Sequence, residues 1–312
     1  MQSLTESKFL TYNSDTLEFV RKVHGIDKTI RMIEMLDTLE AWIQKQQHFV
    51  VKSLPRRYLE RIIIFNKGSL ERTKQKLDKI CTLRSLIPEI FEDYDIQELS
   101  RSEDNMIDIV LPKMTPDHCR VHLFQARTTK MDPAKVSQYM KLFLIVTDYV
   151  QLYDYNNGLM YLADWRGGSA LDFTMSVNFT QFRTILDTAF EGYSMRIKAI
   201  HILTDSKPMT ALVMLFKQVM SAKISSRIQV HNTLDTVYEY IPKSVLPVEY
   251  GGEDRTVREL RDEFMAELCS DYFKEYRQQI NKARTDENFR SKDLFNSEYM
   301  GMSGTFRNLS VD

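Results

Sequence analysis

Six histidines, three cysteines, one well-placed aspartate and a few cations are the side chains of this 312-residue sequence best suited to chemistry. His118 and His122 are four apart, which on a helix would turn two imidazoles to one face as metal ligands. Residues 121–126 read instead as a strand, where the pair has no common ligand geometry. His201 and His231 fall on consecutive predicted parallel strands and are expected as hydrogen-bonded core or strand-end side chains; His24 and His48 complete the set. Cys81, Cys119 and Cys269 stand singly and odd in number, with neither paired metal spacing nor a disulfide framework. They read as small buried thiols in a reducing, cytosolic setting. Asp164 closes a predicted strand, and a carboxylate at the C-terminal edge of an open α/β sheet can be catalytic. With no nucleophile or base near it in the sequence, it reads as a loop cap. GxSxG, Walker A, GxGxxG after a strand, HExxH and CxxC are all missing. No enzyme, cofactor or metal is expected.

Cations offer a different chemistry. Arg196 and Lys198 alternate across the start of one predicted strand, so both point to one face. Lys223 and Arg227, four apart, flank the end of the following helix, and Arg84 ends the third N-terminal helix. These five are either ordinary solvated charges or an anion patch, since arginine forks match phosphate oxygens. Between the pairs, residues 208–222 carry Met209, Leu212, Val213, Leu215, Phe216, Val219 and Met220 against few polar positions. So broad an apolar arc suits a core helix, or one that covers a lipid cavity and meets a membrane with its other face.

The elements that must position these residues follow from composition and periodicity. Lys and Arg number 42 against 43 Asp and Glu, so the net charge is −1, and 43% of residues are hydrophobic. That excludes wholesale disorder and a generally basic nucleic-acid binder. The densest apolar runs, Ile62 to Phe65 and Leu142 to Val146, are far too short to span a membrane. Residues 1–8 lack the basic and apolar regions of a secretory signal. Sixteen Met, 17 Phe and 15 Tyr are a generous supply of soft and bulky side chains. Helical periodicity over 27–48, 55–65 and from Ser69 to Pro88 makes residues 1–95 an all-helical unit. Strands at 106–111, 121–126, 159–163, 197–203 and 227–230 then alternate with helices at 133–149, 179–191 and 208–222, which predicts βαβ units and a largely parallel sheet. Val257, Leu260, Phe264 and Leu268 keep a helical beat, and residues 276–312 read as a loosely held polar tail after a domain of 96–275.

Tyr193 to Ile202, Arg227 to Asn232 and the closing Leu246-Pro247-Val248-Glu249-Tyr250-Gly251-Gly252 strongly resemble the CRAL-TRIO lipid-binding family. Asp132-Pro133, Asn157-Gly158 and Asp164-Trp165-Arg166-Gly167 extend the likeness upstream, and Gly68 to Glu89 resembles the family's N-terminal helical domain. The resemblance covers roughly residues 28–275 and is to the branch that holds the alpha-tocopherol transfer protein and cellular retinaldehyde-binding protein. It implies an α/β fold: a mostly parallel sheet flooring an apolar pocket gated by a mobile helix, behind an all-α domain. It implies phosphoinositide contacts at Arg84, Arg196, Lys198, Lys223 and Arg227. It implies pocket liners at Tyr139, Phe143, Leu159, Ala163, Ala189, Phe190 and Ile200, and gate residues at Met209, Leu212, Leu215, Phe216 and Met220. The function implied is an intracellular carrier. It would bind one small hydrophobic lipid (tocopherol, retinoid or another isoprenoid-like ligand) and transfer it between membranes with phosphoinositide recognition. The alternative is a phosphoinositide-reading adaptor that ferries nothing. The implied partners are the lipid and a phosphoinositide-containing membrane surface, without nucleic acid. The implied state is a cytoplasmic monomer with transient peripheral membrane association. The sequence departs from the family at Arg61 to Asn66, where a basic, Leu-rich helix is usual, at Ala163, often a bulky liner, and at the compact Gly168-Ser169-Ala170.

Overall fold

A computed structural model describes residues 7–92, 94–101, 106–128 and 130–290. Five helices come first: α1 (Thr16–Val23), α2 (Thr29–Lys45), α3 (Arg56–Phe65), α4 (Leu70–Leu86) and α5 (Ile96–Arg101). In α2 the buried Met32, Met35, Leu36, Leu39 and Ile43 recur at three and four spacing, so the helix buries one stripe. Every residue of α3 from Tyr58 to Phe65 is buried, because α3 lies among α2, α4 and the long α6 (Pro133–Tyr153). That accounts for its unbroken Ile-Ile-Ile-Phe run. Ser69 starts α4 by accepting from the Arg72 backbone N–H at 3.4 Å.

The sheet runs β1 (Met106–Met114), β2 (Arg120–Ala126), β3 (Leu159–Asp164), β4 (Ile197–Leu203) and β5 (Ile228–His231), in that spatial order. Only the β1–β2 pair is antiparallel; β2 to β5 are parallel. Parallel neighbours need crossovers, and these are α6, then α7 (Ala170–Ser176) with α8 (Phe179–Asp187), then α9 (Lys207–Val219) with α10 (Ala222–Ser225). Register puts His122 beside Tyr161, Tyr161 beside Ile200 and Ile200 beside Ile228, so these side chains share one face. Of the remaining helices, α11 (Leu234–Tyr238) packs on β4 and β5, and α12 (Val257–Leu268) packs on β1, followed by α13 (Asp271–Ile280).

The closing motif has a steric reason. Gly251 sits at φ +65, where a Cβ would come within 2.5 Å of the Tyr238 hydroxyl, and a Cβ on Gly252 would lie 1.9 Å from the Leu246 carbonyl. Tyr250 between motif and sheet donates to Asp164 Oδ2 at 2.9 Å.

Two expected boundaries need correction. Residues 7–16 fasten to the α/β domain: Ser7 meets the Tyr149 hydroxyl at 2.7 Å, the Thr11 N–H donates to the Pro112 carbonyl at 2.9 Å, and Thr16 bonds His118 at 3.0 Å. They do not belong to the helical unit alone. Residues 281–290, expected to trail loosely, are pinned to the N-terminal helices. The Ser85 hydroxyl donates to the Thr285 carbonyl at 2.8 Å, and Arg290 pairs with Asp78 at 2.7 Å. The rest of the expected tail, 291–312, lies outside the described residues.

Candidate functional site

Between the sheet and its crossovers lies a cavity of about 200 Å3. Its floor is Met106, Phe124, Tyr161, Ala163, Ile200 and Ile202, which alternate along four strands on one face. One wall is Val136, Tyr139, Met140 and Phe143, one stripe of α6. The other is Phe173 of α7 with Phe182, Leu186 and Phe190, spaced by four. The lid is α9, whose Met209, Leu212, Val213 and Phe216 point inward at helical spacing, followed by Met220. Ser206 caps this helix by accepting from the Met209 N–H.

The outer side of the lid is apolar as well. Met214 and Leu215 are 47% and 60% exposed. Beside them Leu171, Met175 and Phe179 of α7 and α8 also face solvent, and the Phe179 ring is 6.0 Å from that of Phe216.

Of the expected liners, Tyr139, Phe143, Ala163, Phe190 and Ile200 line the cavity, with the lid residues Met209, Leu212, Phe216 and Met220. Three do not. Leu159 is the first residue of β3, paired with Ile197 in the closed core below the cavity. Ala189 is fully buried in the π-helical turn Thr188–Gly192 that packs on α4. Leu215 turns outward. The sequence reading missed Phe124, Tyr161, Phe173 and Phe182. The period of two through Ala163 and the four-residue step back from Phe190 were the available signals.

At the opposite, N-terminal end of β4, cations gather. Arg196 Nη1 donates to Asn157 Oδ1 at 2.8 Å and faces His24 Nε2 at 3.0 Å. Arg227 donates to the Ile197 carbonyl. Burial, then Arg196, Lys67 and Lys198, press the His24 pKa down to about 4. Lys67 is likewise lowered by burial and by Arg196, Lys223, Arg72 and Arg227. Like charges crowded so closely make an anion site. Four of the expected cations, Arg196, Lys198, Lys223 and Arg227, are therefore together, and the turn before α4 adds Lys67. Arg84 is not with them. It is 0% exposed, over the Phe91 ring at 5.8 Å, so no head group reaches it, and this expectation is corrected.

The remaining candidates have structural partners. Asp164 holds Arg166 by two bonds, at 2.9 and 2.7 Å, besides Tyr250. His201 Nδ1 meets His231 Nε2 at 2.9 Å, and burial lowers the pKa of both. No group of three metal-ligating side chains forms among the described residues, nor is any described helix long and apolar enough to cross a membrane.

Comparison with known proteins agrees with this architecture. Residues 104–252 match the model of the CRAL/TRIO domain, and residues 29–100 match that of the Pinta-like, UBA domain. An alpha-tocopherol transfer protein-like protein of Mus musculus is 24% identical over 224 residues, 70% of this chain and 64% of the relative, just under two thirds of its length. The protein of that description from Homo sapiens is 24% identical over 253 residues, 75% of this chain and 72% of the relative. The solved structure of Sfh5 aligns at a TM-score of 0.46 and 13% identity, over 81% of this chain and 97% of that one.

Proposed function

The chain is a member of the CRAL-TRIO family by its central domain, and we propose that it is a carrier that takes up one small hydrophobic lipid and transfers it between membranes. The observation that carries the reading is the lid. Helix α9 has an apolar face toward an apolar cavity and a second apolar face toward solvent, beside a cationic cluster. A lid buried on one side only would serve a closed core; two apolar faces suit a helix that exchanges one apolar environment for another.

The physics of transfer follows. Burying several hundred Å2 of apolar ligand is worth several kcal/mol at about 25 cal/mol per Å2, so cargo needs a closed cavity in water. An enclosed 200 Å3 is below the roughly 300–1,000 Å3 of drug-sized pockets, so a lipid of that size enters only as α9 moves. At an anionic membrane each nearby cation contributes about 1 kcal/mol. Arg196, Lys198, Lys223 and Arg227, with Lys67, recognise phosphoinositide head groups. The exposed apolar residues of α7 and α9 then enter the bilayer, which shifts the lid toward open and releases or loads cargo.

The reading is tested by organic extraction of the purified protein with mass identification of bound lipid, followed by liposome-to-liposome transfer. A stoichiometric lipid is expected. Lys223→Ala with Arg227→Ala should slow transfer to phosphoinositide vesicles about tenfold while leaving the bound lipid in place, from two cations at about 1 kcal/mol each, partly screened by salt. Arg84→Gln should leave the affinity for those vesicles unchanged. Full-rate transfer by the double variant would remove head-group recognition from the mechanism.

A further inference from the structure

The cavity is apolar along its lid and walls, but one place on its floor is polar. Tyr161 of β3 gives its ring to the lining, and its buried hydroxyl has no hydrogen-bond partner. Behind it, His122 Nε2 pairs with Asp108 Oδ1, and the second carboxylate oxygen, Asp108 Oδ2, is also buried without a partner. Strand register makes these one cluster. His122 is the direct neighbour of Tyr161 across β2 and β3, and Asp108 lies opposite Phe124, the next residue of β2 on that face. The His122 ring is 4.8 Å from that of Tyr161 and 5.6 Å from that of Phe143, and Phe190 is 6.2 Å from Tyr161. Rings therefore keep water from the cluster. Burial and the nearby Asp108 push the Tyr161 pKa well above that of an ordinary phenol, so its hydroxyl keeps its proton as a donor.

A buried donor and a buried acceptor left side by side without partners are rare and costly. One functional group answers both. A hydroxyl accepts from Tyr161 Oη and donates to Asp108 Oδ2, whereas a carbonyl, an ether or an ester can only accept, and a hydrocarbon does neither. Resting on the carrier reading above, we propose that the cargo is a lipid alcohol. Its single hydroxyl is held by Tyr161 and Asp108, and its apolar body runs beneath α9. Tyr161 is then a specificity-determining residue, and His122 is the positioning residue that holds the Asp108 carboxylate in place.

The test uses the full chain with vesicles carrying phytanol, its methyl ether or phytane, which share one carbon skeleton. After incubation the protein is re-isolated and bound lipid is counted by mass spectrometry. The wild-type chain should take up phytanol about tenfold over the other two, the effect of a satisfied polar pair. Tyr161→Phe keeps the ring and should bring phytanol down to the level of the ether, with phytane uptake and the unfolding midpoint unchanged. Equal uptake of all three by the wild-type chain, or an undiminished preference in Tyr161→Phe, overturns the proposal. Uptake of none of the three overturns the carrier reading itself, and the proposal with it.

Discussion

His24 ties the cationic cluster to the stability of the fold. Its imidazole is pressed to a pKa of about 4 by burial and by Arg196, Lys67 and Lys198, while an unfolded chain restores the ordinary value near 6.5. Between those values the unfolded chain binds the extra proton, so stability is complete above pH 6.5 and falls as pH drops toward 4. His201, lowered to about 4 by burial and by His231, contributes with the same sign. Urea midpoints measured from pH 7 to pH 4.5 should therefore decline, and His24→Gln should flatten part of the decline. An inositol polyphosphate in the cluster gives the imidazolium an anionic partner, so saturating amounts should shrink the same slope in the wild-type chain. A slope identical in wild type and His24→Gln would show that the residue is not under this charge pressure. At this scale the sequence was only partly legible. Arg196 and Lys198 could be paired from strand alternation, but Lys67 and His24 come from another part of the chain and meet them only through tertiary packing. Arg84 misled because a helix-end arginine gives no sign in sequence of being fully buried.

Among elements, the lid is the part the sequence described best and the part on which function turns. The spacing of Met209, Leu212, Val213 and Phe216 is readable as one face, and Leu215 was misassigned because a broad apolar arc does not say where the inner face ends. Helix α7 was not anticipated at all. It has seven residues, too few for a periodic signal, and only the Ser169 cap, accepting from the Asp172 N–H, marks its start. Yet α7 supplies Leu171 and Met175, at 69% and 75% exposed the most open of the apolar residues beside the lid. If α7 and α9 form the membrane-facing surface, Met175→Asp with Leu215→Asp should weaken vesicle binding by at least tenfold, since each loses apolar burial and adds a charge to be desolvated. Thermal stability should hold within about 0.5 kcal/mol, because both side chains are in water in the free protein. Sedimentation with phosphoinositide vesicles checks the first expectation and differential scanning the second. Retained binding would move the contact surface elsewhere.

The whole molecule depends on a segment the sequence gave no reason to notice. Polar composition made residues 281–290 look like a tail, but their partners lie almost two hundred residues back, in α4 and the turn before α3. The Asp286 N–H donates to the His48 carbonyl at 2.7 Å, the Thr285 N–H to the Ser85 hydroxyl at 2.9 Å, and Arg290 reaches Asp78 with both terminal nitrogens. Just before them Arg277 of α13 pairs with Asp148 of α6 at 3.2 Å, with both side chains 3% exposed. The C-terminal segment therefore ties the helical domain to the α/β domain from behind, and α4 carries with it the turn that presents Lys67 to Arg196 and Arg227. Breaking a buried pair costs about 3–5 kcal/mol, and Asp78 keeps His48 as a partner at 3.1 Å, so Arg290→Ala should cost about 2 kcal/mol in urea unfolding. Hydrogen exchange should rise first in α4 and around residues 46–50, with β2 to β4 still protected. Since Lys67 is then held less firmly, affinity for phosphoinositide vesicles should fall severalfold while uptake of lipid cargo is unchanged. That split would separate the two halves of the carrier: a cavity built wholly within the α/β domain, and an anion site that exists only while both domains are held together.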